Sequence, residues 1–281
     1  MKRILTIQDI SCVGKCSLTV ALPIISAMGV ETCILPTAVL STHTMFPSPV
    51  CRDLTDQIIP ITEHWKKENI TFDAVYTGYL GSFEQISIVS RLFEEFKKSG
   101  CLVIADPVMA DNGKLYPAFD ESYARENTRL CSHADIILPN LTEAAFMTGL
   151  PYKTQYSRDY ILELLHALGR LGAKYVLLTG VSFSPDRIGV MGLCVSTGET
   201  FEYFTRKIPR NYHGTGDIFS STLTGALMRG LSLKQASRLS CDYTMMTIEQ
   251  TVSDPSSREY GVSFEATLPG LTRMLAGYLP A

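Results

Sequence analysis

The run His213-Gly214-Thr215-Gly216-Asp217 opens a long helical pattern in this 281-residue chain. Two glycines let a backbone come close to a ligand. The free N–H groups and the dipole of a helix start favour an anion there, most often a phosphate. A carboxylate beside such a site is repulsive unless it has work to do, and taking a proton from an attacking hydroxyl would be such work for Asp217. The competing reading makes Asp217 a first-turn helix acid and the glycines a turn. A second constellation pairs Asp106, which follows the apolar run 101–105, with Glu143, one turn into the helix after 136–138. On adjacent strands the two carboxylates would share a crevice. Mg²⁺ commonly takes one or two carboxylates together with water and phosphate oxygens. Taken singly, each is as readily a turn residue or a first-turn acid.

Other chemistries are excluded by spacing. Gly14-Lys15-Cys16-Ser17 resembles the tail of a P-loop, but the first glycine of that motif falls on Asp9. Gly214-x-Gly216-x-x-Phe219 lacks the third glycine of a dinucleotide fingerprint and lies late in the chain. No G-x-S-x-G, H-E-x-x-H or EF-hand pattern occurs, and His43, His64, His133, His166 and His213 show no metal spacing. His64, His133 and His166 read as surface or helix-end residues. The eight cysteines include no C-x-x-C and read as buried free thiols of a reducing cytosol.

The elements that must position these residues alternate. Residues 3–8, 33–40, 74–77, 102–105, 136–138 and 176–178 are short apolar runs of buried-strand type, each ending in a polar, Gly-bearing or Pro-bearing turn. Helical patterns at about 16–28, 53–65, 83–98, 120–130, 142–148 and 158–171 lie between them. This alternation argues for a mostly parallel sheet with helices on both faces. Residues 190–195 and 200–208 break the rhythm and read as an antiparallel hairpin at one sheet edge. Helices at 217–229 and 232–250 follow. In such sheets ligands bind outside the carboxyl ends of strands. The candidates there are Gln8-Asp9, residues 41–44, Thr77-Gly78-Tyr79, Asp106-Pro107, Asn140 with Glu143, and Thr179-Gly180.

Composition agrees. The net charge of −3 gives no footprint for nucleic acid, and the 46% apolar content excludes disorder. A chain of this length hides roughly 70–75% of its unfolded surface. The first apolar run is cut by Gln8 and Asp9, so it reads as a strand rather than a signal peptide. Residues 32–51 lack formal charge but hold three prolines and several hydroxyls, a poor membrane span. No linker divides the chain, which reads as one domain over residues 1–281.

In this order the elements resemble the ribokinase superfamily, and within it the pyridoxal kinases, from Ile4 to about Thr251. The resemblance rests on Thr6-Ile7-Gln8, Thr42-His43-Thr44, Thr77-Gly78-Tyr79-Leu80-Gly81-Ser82, Asp106-Pro107-Val108-Met109, Pro139-Asn140-Leu141-Thr142-Glu143 and Gly214-Thr215-Gly216-Asp217. It implies a single-domain, three-layer ribokinase-like sandwich and ATP-dependent phosphorylation of the 5′-hydroxymethyl group of a B6 vitamer. By the same resemblance, Asp217 is the base. The amides of Gly214, Thr215 and Gly216 hold the γ-phosphoryl group. Asp106 and Glu143 lie by Mg²⁺ and the ATP phosphates, supported by Asn140. Leu138 and Thr179 line the nucleotide side, and Thr44, Met45 and Tyr79 contact the ring. A monovalent cation stays open. The expected enzyme is a cytoplasmic homodimer that meets only small molecules, neither nucleic acid nor membrane. Where the family has Ser, this chain has Asp9, and where it often has Asn, Thr42. An acceptor-only carboxylate at position 9 favours a cationic substrate amine, so pyridoxamine is expected over pyridoxal. Two other readings remain open: a hydroxymethylpyrimidine (phosphate) kinase, whose motif has Cys in place of Asp217, and a ligand-binding member of the fold without activity.

Overall fold

The computed structural model describes residues 1–210 and 212–279, so Asn211 lies outside the described residues. In chain order the elements are β1 (Arg3–Ser11), α1 (Leu18–Ala27), β2 (Glu31–Leu40), β3 (Cys51–Asp53), α2 (Thr55–Lys67), β4 (Ala74–Thr77), α3 (Phe83–Lys98), β5 (Leu102–Ala105), β6 (Ala110–Asp111), β7 (Lys114–Leu115), α4 (Glu121–Ser132), β8 (Ile136–Ile137), α5 (Leu141–Thr148), α6 (Arg158–Gly169), β9 (Tyr175–Ser184), β10 (Arg187–Cys194), β11 (Thr200–Arg206), α7 (Thr215–Met228), α8 (Leu233–Ser253) and α9 (Leu268–Ala276). Among the described residues nine strands form one mixed sheet in the order β11-β10-β9-β8-β5-β4-β1-β2-β3, and β6 pairs with β7 alone. The interior pairs β1–β2, β5–β8 and β8–β9 are parallel, while β3 and β10 join antiparallel. β4 is buried throughout and β5 over three of its four residues. A strand reads as a continuous apolar run when helices cover both its faces.

Packing resolves two compact units, Met1–Ala74 with Thr205–Ala281, and Val75–Phe204. In the first, α1 packs on β1, β2 and α7, and α7 packs on α8. Ile4, Leu5, Ile7, Ile24, Ile25, Leu35, Ile218 and Leu223 are fully buried there. In the second, α3 packs on β5 and α4, and α6 on β9 and α5. Val75, Tyr76, Phe93, Val103, Ile104, Ile137 and Leu177 are fully buried in that unit.

Three expectations need correction. β1 runs on to Ser11, so Gln8 and Asp9 lie inside the strand, not after it. Backbone pairing with β2 continues through both polar residues, with a register shift between Gln8 and Ile10. The expected edge pair of β10 and β11 is present, but the strand expected over 176–178 is β9, which runs on to Ser184 and folds back antiparallel on β10. Finally, all eight thiols are free, but only Cys101, Cys131 and Cys241 are buried, whereas Cys12 and Cys51 are exposed.

Candidate active site

In the first unit the glycine-rich loop sits at the start of α7. Gly214 is the N-cap, in left-handed conformation with φ 80°, and no side chain caps the turn. A helix start leaves its first N–H groups without backbone partners, so the amides that follow Gly214 are presented as anion donors. Gly214 must be glycine twice over: its φ is costly for other residues, and a Cβ there would collide with the carbonyl oxygen of Lys15. Gly216 differs. A Cβ at Gly216 would meet nothing within 4 Å, so the protein's own packing does not require glycine. Asp217 follows in the first turn, half-buried.

Asp217 and Asp9 both bear electrostatically on Cys16, whose thiol burial and the two carboxylates push up to about 12. The three residues therefore share one neighbourhood, and Cys16 stays a neutral thiol at physiological pH. Asp9 is only 5% exposed. The loop carrying Thr44 and Met45 is anchored by His43, whose Nε2 lies 2.9 Å from the Tyr260 carbonyl and whose Nδ1 accepts the Met45 amide at 3.1 Å. His43 also lies 5.6 Å from the His213 ring and against Phe46. Burial lowers its pKa, so it is predominantly neutral at pH 7. Thr44 and Met45 are themselves exposed. The sequence carried His43 only inside a motif, and its anchoring role depends on Tyr260, 217 residues away.

The second unit assembles the carboxylate pair. β5 and β8 are parallel neighbours, as expected, and Asp106 and Glu143 interact across their ends. Asn140 caps α5: its Oδ1 accepts the amides of Thr142 (2.8 Å) and Glu143 (3.0 Å). Glu143 answers by accepting the Asn140 amide at 2.8 Å. The N-x-x-E spacing is thus a capping box. The other Glu143 oxygen accepts the Met109 amide at 3.1 Å, and Asn140 Nδ2 donates to the Ala110 carbonyl at 2.8 Å. Burial, and then the nearby Asp106 charge, hold the Glu143 carboxyl well above the usual range despite these amides. Met109 and Ala110 were missed as partners because they act through their backbone, which no sequence motif marks.

Thr179 is half-buried and bridges to Asn140, its amide donating to the Pro139 carbonyl at 3.0 Å. Leu138 is 2% exposed, just past the end of β8. Tyr79 lies 5.5 Å from Phe119, which stacks on Tyr123. Among the described residues no group of three or more His, Cys, Asp or Glu side chains could hold a metal ion. Two carboxylates without a protein cage fit Mg²⁺, which retains waters and phosphate oxygens, better than a metal wanting a full protein shell.

Over residues 22–258 the chain matches the phosphomethylpyrimidine kinase family. A Bacteroides thetaiotaomicron protein described as a phosphomethylpyrimidine kinase, in a crystal form with pyridoxal, is 39% identical. Its TM-score is 0.91, and the match covers 96% of this chain and 95% of that one. Pyridoxal kinase from Lactobacillus plantarum is 30% identical, with TM-score 0.89 and full coverage of both chains. Pyridoxal kinase from Dictyostelium discoideum is 27% identical, covering 92% of this chain and 90% of that protein. With the family matched over most of its length, and with a capped carboxylate and an open glycine cradle at the ends of the expected elements, the chain belongs to the phosphomethylpyrimidine kinase family.

Proposed function

We propose that this chain transfers the terminal phosphoryl group of ATP to the 5′-hydroxymethyl group of a B6 vitamer. The observation that carries the reading is Gly216: a glycine that packing does not require, at an uncapped helix start, directly before Asp217. Asp217 accepts the proton of the substrate hydroxyl as its oxygen attacks phosphorus. The amides following Gly214 take the charge that develops on the transferred group. Asp106 and Glu143 are the residues that would hold Mg²⁺, and Asp106 is the better candidate for direct contact because both Glu143 oxygens already accept backbone amides. When bound, Mg²⁺ neutralises phosphate charge. Thr179 serves the nucleotide, and Thr44, Met45 and Tyr79 the ring. The working enzyme is a homodimer.

The relatives support the vitamer: two are pyridoxal kinases, and the Bacteroides protein was crystallised with pyridoxal. The family's own description favours a second reading, hydroxymethylpyrimidine phosphorylation. Coupled ADP release with pyridoxal, pyridoxamine, pyridoxine and hydroxymethylpyrimidine separates the two. Turnover of the pyridine alcohols with the higher kcat/KM is the expected result. Turnover of the pyrimidine alone, or of none, overturns the proposal.

A further inference from the structure

Asp9 is a buried carboxylate that phosphoryl transfer leaves without a task. It sits at the irregularity of β1, where one residue between Gln8 and Ile10 faces two between Pro36 and Val39. Such bulges re-aim side chains and recur beside active sites. Ser11 Oγ donates to Oδ2 at 3.2 Å, and the Ser17 hydroxyl lies close enough to lower the carboxyl's pKa. Ser17 is unusual in its own right. It is the N-cap of α1, yet its side chain makes no cap bond, and its backbone stands at φ 50°, ψ −133°. A non-glycine residue at such angles carries about 1–3 kcal/mol of strain and persists where the surroundings impose it. Here a cap residue gives up its usual bond, and its hydroxyl lies near Asp9 instead.

No lysine or arginine pairs with Asp9 among the described residues. Lys15 and Arg3, the nearest basic residues in sequence on either side, are committed to Glu265 at 2.8 Å and to Glu31 at 3.0 Å. The other titratable groups around Asp9 are His43, lowered by burial, Cys16, a neutral thiol that also feels Asp217, and Cys51, whose thiol is pushed up by burial and by Asp53 and Asp9. Burial pushes the Asp9 carboxyl up, and the two serines pull it down. A carboxylate has about four acceptor positions, and two hydroxyls leave capacity for a ligand.

Resting on the B6 reading above, we infer that Asp9 is the specificity-determining residue for the group next to the reacting hydroxymethyl, and that it selects the cationic aminomethyl of pyridoxamine. A protonated amine forms a charge-assisted hydrogen bond with a buried carboxylate and supplies its missing countercharge. The alcohol of pyridoxine donates a neutral hydrogen bond. The aldehyde of pyridoxal only accepts, so it would face the carboxylate lone pair to lone pair, a built-in rejection. The order of kcat/KM is therefore pyridoxamine, then pyridoxine, then pyridoxal.

The test measures kcat/KM for all three vitamers in the wild type, Asp9→Asn and Asp9→Ser. It also measures pyridoxamine and pyridoxal binding without nucleotide. The wild type should follow the stated order. Asp9→Asn should lower the pyridoxamine-to-pyridoxal ratio by about 10- to 100-fold, the range for one charge-assisted contact, and weaken pyridoxamine binding selectively. A wild type that prefers pyridoxal overturns the inference without any variant. So does an unchanged ratio in Asp9→Asn, with the vitamer kinase reading left standing. A wild type that phosphorylates no vitamer overturns that reading, and the inference with it.

Discussion

Asp9 and Asp217 lie near one thiol, yet the residue scale separates their tasks. Asp217 is half-buried at an uncapped helix start, while Asp9 is enclosed, accepting from Ser11 with Ser17 nearby. The enclosure gives Asp9 a signature in stability. Its folded pKa lies above the ordinary 3.8 because burial outweighs the two hydroxyls. Below the unfolded value both states hold the proton. As pH rises from there through the folded value, the native state holds the proton more tightly than the unfolded chain, so stability is lost. Asn does not titrate. The Tm of Asp9→Asn relative to wild type should therefore climb as pH rises from about 4, then level off. A difference independent of pH would mean that Asp9 is not buried as a carboxylate. The residue's chemistry was legible in the sequence as an acceptor out of place. Its partner Ser17 was not, because only the backbone angles of the loop bring that hydroxyl to it.

At the scale of elements, the starts of α7 and α5 are built differently. The start of α7 has no cap and an open cradle, and the start of α5 is doubly capped. Gly216→Ala should keep the wild-type Tm, since the new methyl meets no protein atom within 4 Å. Turnover should nevertheless fall on the order of 10²-fold, the scale of a lost anion-hole donor. Gly214→Ala should instead lose stability, by about 1–3 kcal/mol from its φ alone and more from the Lys15 carbonyl. If both variants melt alike and retain activity, the loop is merely a turn. Asn140→Ala removes the cap of α5 and should cost about 1–2 kcal/mol, read as a Tm drop with a raised Mg²⁺ requirement. An unchanged Tm would contradict the capping box. Ala74–Thr77 and Leu102–Ala105 were readable to the residue because apolar runs between polar turns mark strands buried on both faces. The β9–β10 hairpin was not. Thr179-Gly180 looks like a strand end, but the strand bends there, with Gly180 at φ 73°, and continues to Ser184. The small β6–β7 hairpin had a signal in Asn112-Gly113, both at positive φ. Helix α9 lay beyond the reach of the motifs altogether.

For the molecule as a whole, among the described residues no helix is long and apolar enough to cross a membrane. The order of motifs along the chain carried the function, since each motif alone is a turn or a cap. The chain packs as two compact units, with Asp217 in one and the Asp106–Glu143 pair in the other. The direct test is to incubate the wild type and Asp217→Asn with Mg²⁺, ATP and pyridoxamine and to quantify the product by mass spectrometry. The wild type should yield pyridoxamine carrying one phosphoryl group on its 5′-oxygen. Asp217→Asn should form the same product about 10²–10⁴-fold more slowly, the range for a positioned proton acceptor, with nucleotide affinity unchanged. A variant that matches the wild-type rate, or a wild type that leaves the vitamer unmodified, would contradict the account.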